Sequence, residues 1–473
     1  MLFNSVEYAV FLPLAWLAFW LAPARKIEVL LVASYVFYAS WSVPYAAMVF
    51  ALVVCNYGFG LALGRIRQHR RLALATFIAF DLGVLFVFKY LDFGLTSLAS
   101  GANAVFGWEW DPAILRFVLP LGISFFTFEF IHYLVDIYHG DLPVHGFSKF
   151  HVFAAFFPTQ IAGPIKRFQQ FVPSLERLGR FDPVLAREGL WLIGLGLTKK
   201  VIFADRLAIW ANRGFASADN GTIGTADAWM TTLAFSLQIF FDFSGYTDIA
   251  RGSAALFGFR IPINFDAPYL ATSLSNFWRR WHISLSTWLR DYVYIPLGGS
   301  RGTRWFVTRN LLITMLVGGL WHGAAWHFVA WGGLWVAGLA LHHLLRDRIQ
   351  LPRVLPLIVA SWLFTQAFVL VAWVLFRAST FASAGVMLRA MAGRGSGAAT
   401  SGVITEKDMV VIAGIAAALV IASLVTRSGW RPELSLPAGR WRPVLAGAAA
   451  ACVILLASVV APNSREAFIY FQF

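Results

Sequence analysis

The chain has 473 residues, 59% of them hydrophobic and 13% charged, with a mean hydropathy of +0.67. Soluble domains run at about 45–50% apolar and about 25% charged, so a soluble globular fold is excluded and a bilayer is the expected solvent. The net charge of +14 comes from short basic runs between apolar stretches, which reads as a topology signal and not as a nucleic-acid surface. The two cysteines, Cys55 and Cys452, each lie in an apolar segment and support neither a disulfide framework nor a cysteine zinc site.

A bilayer core needs about 20 apolar residues of helix, so segment length is the first signal. Taken in chain order, about twelve spans are predicted, at residues 7–23, 28–43, 45–64, 72–91, 115–138, 188–210, 228–248, 308–325, 327–345, 355–376, 409–425 and 443–461. The first has no basic leader or small-residue cleavage site and is expected to be retained. Residues 92–111 read as a long outer loop with acids and no base, and the Gly/Ser/Ala-rich stretch 393–402 as another. With the N-terminus placed outside, most of the 38 Lys and Arg fall in inner loops, at Arg25 and Lys26 and within 65–71, 149–187, 251–309, 346–353 and 427–442. No internal repeat is visible, and one membrane-embedded domain over 1–473 is the simplest account. Two inner regions, 151–165 and 269–297, are too aromatic for ordinary loops. Irregular backbone at membrane depth survives only where protein or water satisfies it, so both are expected to be re-entrant or interfacial elements lining a cytoplasmic-side cavity.

Four groups of polar residues are candidates for chemistry. In WHGAAWHFVAWGG, residues 321–333, His322 sits inside an apolar, glycine-rich segment. Ionisable groups are costly in lipid and therefore functional candidates, and a neutral imidazole suits general-base work near pH 7. A histidine bonded to a neighbouring helix for packing accounts for its position equally well. In NFWRRWHISLSTWLRDYVYIPLGGS, residues 276–300, Trp278, Trp281, Leu285, Trp288 and Leu289 fall broadly on one face, which predicts an amphipathic helix. An interfacial belt with snorkelling arginines explains Arg279, Arg280 and Arg290 but not His282 or Asp291. In FDFSGYTDIARG, residues 241–252, Asp242 and Asp248 are unsuited to a tight carboxylate pair. An ion pair of Asp242 with Arg279 or Arg280 is favoured over catalysis there. Glu129 and His132, spaced i, i+3, read as helix-packing glue. No His-Glu-x-x-His pattern exists, and His322 and His327 would face different sides of one helix, so no metal site is expected. Neither a G-x-S-x-G elbow nor a P-loop is present.

The ordered set LPLGISFFTFE (119–129), FPTQIAGPIKR (157–167), FDFSGYTDIA, INFDAPYLATSLSNFWRRWHISLSTWLRDYVYIPLGG (263–299), WHGAAWHFVAWG and the terminal FIYFQF resembles the membrane-bound O-acyltransferase family, in its bacterial branch of alginate O-acetylation subunits. The resemblance implies an all-α polytopic membrane protein with about 11–12 spans around a central funnel or tunnel. It implies a family core at about 115–345, C-terminal helices over 355–461 and a tail over 462–473. It also implies His322 as the essential histidine and His282 as the second active-site polar residue, an analogical step. Trp321, Arg279, Arg280, Asp291 and Asp242 are the substrate-binding candidates, the arginines as a basic rim for coenzyme A phosphates. Acetyl-CoA is the implied donor substrate, with no bound cofactor and no nucleic acid. The implied setting is the bacterial inner membrane, with a periplasmic or extracellular partner protein that places the acetyl group on a polysaccharide. Two rivals stand beside this. One is acyl or D-alanyl transfer to peptidoglycan, cellulose or teichoic acid. The other is a polysaccharide exporter or proton-coupled transporter using the histidines as a relay.

Overall fold

A computed structural model describes residues 1–348, 352, 354–395, 402–428 and 468–469. The expected span at 443–461 and most of the 462–473 tail lie outside them. Among the described residues the regular elements are helices: α1 (Val6–Leu21), α2 (Lys26–Ala39), α3 (Val43–Arg65), α4 (Arg70–Leu85), α5 (Leu91–Phe106), α6 (Ile123–His139), α7 (Phe147–Ala155), α8 (Phe168–Glu176), α9 (Pro183–Leu197), α10 (Asp205–Asp219), α11 (Thr225–Leu256), α12 (Leu274–Trp278), α13 (Ile283–Leu289), α14 (Arg304–His322), α15 (Trp326–Arg348), α16 (Leu355–Arg377), α17 (Phe381–Arg389) and α18 (Glu406–Arg427). π-helical turns at Phe86–Tyr90, Thr198–Ala204, Arg290–Tyr294 and Ala390–Arg394 extend α4, α9, α13 and α17.

Length and apolarity suit α3, the continuous run Arg70–Phe106, α16 and α18 to crossing a membrane; α1 and α2, bent by 107°, make one more if taken as a single span. The expected spans at 228–248, 308–325 and 327–345 fall on α11, α14 and α15, which are long but less apolar. Their polar residues are inside the protein: Asp227, Thr231, Gln238 and Asp242 on α11, and Asn310, Thr314 and His322 on α14, are all buried. Faces covered by protein need not be apolar, which is why hydropathy alone separates them poorly from loops. Two boundaries differ from expectation. Residues 92–106 form helix α5 rather than a loop, because no breaker interrupts the run from α4; Asp92 then accepts the N–H groups of Leu115 (3.0 Å) and Arg116 (2.9 Å) where the chain returns. The helix expected from residue 115 starts only at Ile123, after Pro120 and a left-handed Gly122.

Two compact units share the chain, the first comprising Met1–Ile193, Thr247–Pro262 and Gly323–Ala325 and the second Gly194–Tyr246, Ile263–His322 and the chain from Trp326 on. In the first unit Gly60 of α3 sits against the Tyr133 ring of α6, so a Cβ there would collide with it. Tyr8 and Ser253 share a hydrogen bond of 2.7 Å, and the indoles of Trp16 and Trp20 donate to the Leu256 carbonyl. The expected helix-to-helix stripe of Glu129 and His132 takes another form: the Glu129 carboxylate pairs with Lys166 of the irregular segment before α8 at 2.7 Å, both buried, while the His132 ring bonds the Phe128 carbonyl of its own helix. The turn after α7, residues 156–163 of the aromatic 151–165 segment, is buried irregular backbone.

The second unit is organised by glycines. α14 and α15 run antiparallel with their backbones in contact: a Cβ on Gly332 would lie 2.6 Å from the Met315 carbonyl, and one on Gly319 would strike the Phe328 carbonyl. Gly214 of α10 similarly admits Thr231 of α11, and Gly338 of α15 admits Phe368 of α16. Between these helices lies an aromatic core in which Trp281, Trp331, Trp335 and Trp373 are all 2% exposed or less.

Candidate active site

His322 is the last residue of α14, and the helix stops there because Gly323 follows; α15 restarts at Trp326. His322 and His327 therefore do not share one helix, which corrects the single-helix expectation. His327 instead bonds the Leu375 carbonyl at 3.1 Å. The His322 ring is 6% exposed and walled by three aromatic rings, Trp321 at 4.9 Å, Phe376 at 5.0 Å and Trp331 at 5.3 Å between centroids.

The amphipathic helix predicted in 276–300 is in fact broken: two short helices, α12 and α13, are separated at residues 279–282. Ser273 caps α12 by accepting the N–H of Asn276, and α12 ends after five residues. The break falls at His282, whose φ of 44° and ψ of 55° put a non-glycine residue in the left-handed region. Nor do the tryptophans form an interfacial belt, since Trp281 and Trp288 are buried at 2% and 4% exposure. His282 is itself 0% exposed and lies outside the spanning helices. Burial pushes its imidazole down to about 3, so the ring is neutral across the physiological range. Its Nδ1 accepts the Leu285 N–H (3.4 Å), and its ring lies 4.6 Å from that of Phe243 of α11 at a steep angle.

The two candidate histidines, forty residues apart in sequence, meet on one side chain. The indole of Trp321 lies 5.7 Å from the His282 ring and 4.9 Å from the His322 ring, near-perpendicular to both. Trp321, chosen from the sequence as a substrate-binding candidate, thus packs against both imidazoles.

The remaining candidates are placed elsewhere. Asp242 pairs with Lys200 at 2.8 Å, and Lys200 also pairs with Asp205 at 2.9 Å, so its cation is Lys200 rather than the expected Arg279 or Arg280. The α11 backbone is held close to this lysine by Gly245, where a Cβ would lie 2.8 Å from the Gly196 carbonyl. The other Asp242 oxygen accepts the N–H of Ile469 (2.7 Å), while Phe468 stacks on Tyr246 at 4.4 Å. Arg280 donates to Asn276 (2.9 Å) and pairs with Asp266 at 3.7 Å. Arg279 is exposed, and Asp291 pairs with its exposed neighbour Arg290 at 2.8 Å. Sequence reasoning missed Lys200, whose partners come from two other helices, and Asn264, which no periodicity marks. Among the described residues no group of three or more His, Cys, Asp or Glu could hold a metal ion.

The site thus defined is a pair of buried histidines set against a shared indole in a helical membrane protein. The model of the membrane-bound O-acyltransferase family matches residues 138–385, which include both histidines. The chain is 42% identical over 400 residues to the "Probable alginate O-acetylase AlgI" of Azotobacter vinelandii, covering 83% of this chain and 78% of that one. It is 43% identical over 402 residues to the protein of the same name in Pseudomonas aeruginosa (83% and 75%) and 36% identical over 437 residues to the "Peptidoglycan O-acetyltransferase" of Helicobacter pylori (83% and 80%). This chain belongs to the membrane-bound O-acyltransferase family: it is a multi-pass membrane protein and an acyltransferase.

Proposed function

We propose that this protein takes the acetyl group of cytoplasmic acetyl-CoA and passes it through the inner membrane for O-acetylation of an extracytoplasmic polysaccharide. The observation that carries the site assignment is the pair of buried rings, His282 and His322, held on the one indole of Trp321. The alginate O-acetylases at 42–43% identity support an acetyl donor and a polysaccharide acceptor. In this reading His322 removes the proton of the acceptor hydroxyl as its oxygen attacks the thioester carbonyl. The carbon–sulfur bond then breaks, and the proton returns to the departing thiolate. The aromatic wall around His322 excludes water that would otherwise take the acetyl group. Arg279, Arg280 and Arg290 form the basic rim for the coenzyme A phosphates, with Asp291 paired to Arg290 on it, while Asp242 holds Lys200 behind the site. A periplasmic partner protein completes delivery to the polymer, and the N-terminus faces that side.

The test uses inside-out membrane vesicles from a strain that retains its own partner proteins, with radiolabelled acetyl-CoA supplied on the cytoplasmic face. His322→Ala is expected to insert at the wild-type level and to lose label transfer by about a hundredfold or more. Full transfer by that variant removes the assignment. The acceptor is read separately, because the Helicobacter pylori relative supports peptidoglycan as a second reading. Mass analysis of envelope polymers from a deletion strain is expected to show lost acetyl esters on an exopolysaccharide; loss from peptidoglycan alone reassigns the acceptor.

A further inference from the structure

The left-handed backbone at His282 needs something to hold it, and the holder is one residue. Asn264, 0% exposed and eighteen positions upstream, accepts the Ile283 N–H on its carbonyl (2.9 Å) and the Ser284 N–H on its side-chain Oδ1 (3.1 Å). The next donor of the α13 first turn, the Leu285 N–H, goes to Nδ1 of His282 (3.4 Å). Three consecutive N–H groups that a helix start leaves without intrahelical partners are therefore shared between Asn264 and the His282 ring.

The 3.4 Å bond from the Leu285 N–H favours one tautomer of the ring. A backbone N–H only donates, so Nδ1 accepts, and a neutral imidazole whose Nδ1 accepts carries its proton on Nε2. We propose that Asn264 is a positioning residue for acyl transfer: by clamping the turn at His282 it holds that imidazole as an Nε2–H donor to the reacting groups, leaving the base role to His322 alone. The inference rests on the site reading above and deepens it, replacing a shared relay with two different jobs. A fixed donor aimed at a carbonyl oxygen is worth most when it is set before charge develops, which is what a rigid turn supplies.

The experiment measures kcat and KM for acetyl-CoA in the same vesicles, each normalised to folded protein read by size-exclusion of the solubilised chain. Asn264→Ala is expected to lower kcat about tenfold or more with KM changed by less than about threefold, because ring placement and not donor binding is lost. Asn264→Asp keeps an oxygen acceptor at the same place and is expected to recover at least about a third of the wild-type kcat. His282→Gln, which puts an amide N–H near Nε2, is expected to retain at least about a twentieth of the wild-type rate, whereas His282→Ala falls much further. A wild-type kcat for Asn264→Ala, or an effect on KM alone, overturns the proposal. So does a His282→Gln variant as inactive as His282→Ala, and this arm decides even if Asn264→Ala fails to accumulate. His322→Ala run alongside keeps the two readings apart: full transfer by that variant fells the site assignment and this inference with it. Its inactivity, combined with a wild-type Asn264→Ala, fells the positioning role only.

Discussion

His282 shows most directly how one residue's environment sets its chemistry. A left-handed non-glycine residue costs about 1–2 kcal/mol, and burial of the ring adds a pH dependence. With the folded imidazole at about 3 and an ordinary unfolded value of about 6.5, the unfolded chain binds the extra proton. The stability associated with a neutral His282 is therefore complete above about pH 6.5 and is lost as pH falls toward 3; at pH 5 the loss is about 2 kcal/mol. Thermal unfolding in detergent is expected to show a midpoint that drops between pH 7.5 and pH 5, with a smaller drop in His282→Gln. An equal drop in both would mean that other groups carry it. Lys200 offers a second prediction at this scale. It is buried between Asp205 and Asp242, so Lys200→Met leaves two carboxylates without their cation, at a cost of about 3–5 kcal/mol. Strongly reduced accumulation of Lys200→Met is expected, with partial recovery in the double variant Lys200→Met/Asp242→Asn.

At the scale of elements, the glycines do what side chains cannot. Gly319 and Gly332 let α14 and α15 touch backbone to backbone, and that contact is what brings Trp331 against the His322 ring. Gly332→Val places atoms within the space of the Met315 carbonyl and should separate the helices. Because the displaced group is backbone, relaxation is costly, and overpacking of this kind costs about 1–3 kcal/mol or more. Gly333, with nothing within 4 Å of its would-be Cβ, is the control, and Gly333→Ala is expected to leave both transfer and the thermal midpoint unchanged. If Gly332→Val matches Gly333→Ala in both measurements, the packing account is wrong. The pair was legible in the sequence as small residues beside a histidine, but which glycine faces the partner was not, since that depends on where α14 stops. The α12–α13 break was hidden for a similar reason. Residues 276–289 follow a helical period well, and only the bonds from Asn264, outside that window, start a second helix at Ile283.

For the molecule as a whole, the distribution of Lys and Arg is the feature that predicts topology. Basic residues gather at 65–71, 149–187 and 251–309, and few lie in the segments assigned outside. A reporter enzyme active only outside the cytoplasm, fused after residue 112, is expected to be active, and one fused after residue 68 inactive; the reverse pattern would invert the orientation. Both chain units contribute α9 and α11 residues, so a helix boundary and a unit boundary do not coincide in this fold.

By itself the sequence determined the solvent and the helical class and singled out the two histidines as candidates, because hydropathy, length and an ionisable residue in an apolar segment are local properties written in consecutive letters. The ordered motifs also carried the family. Only the tertiary structure decided that Trp321 packs against both imidazoles, that Asp242 is neutralised by Lys200 and not by an arginine, and that Asn264 sets the His282 turn. Each of these joins residues from separate helices or turns, and pairing across such distances is fixed by packing and hydrogen-bond satisfaction, which no periodicity within one segment encodes.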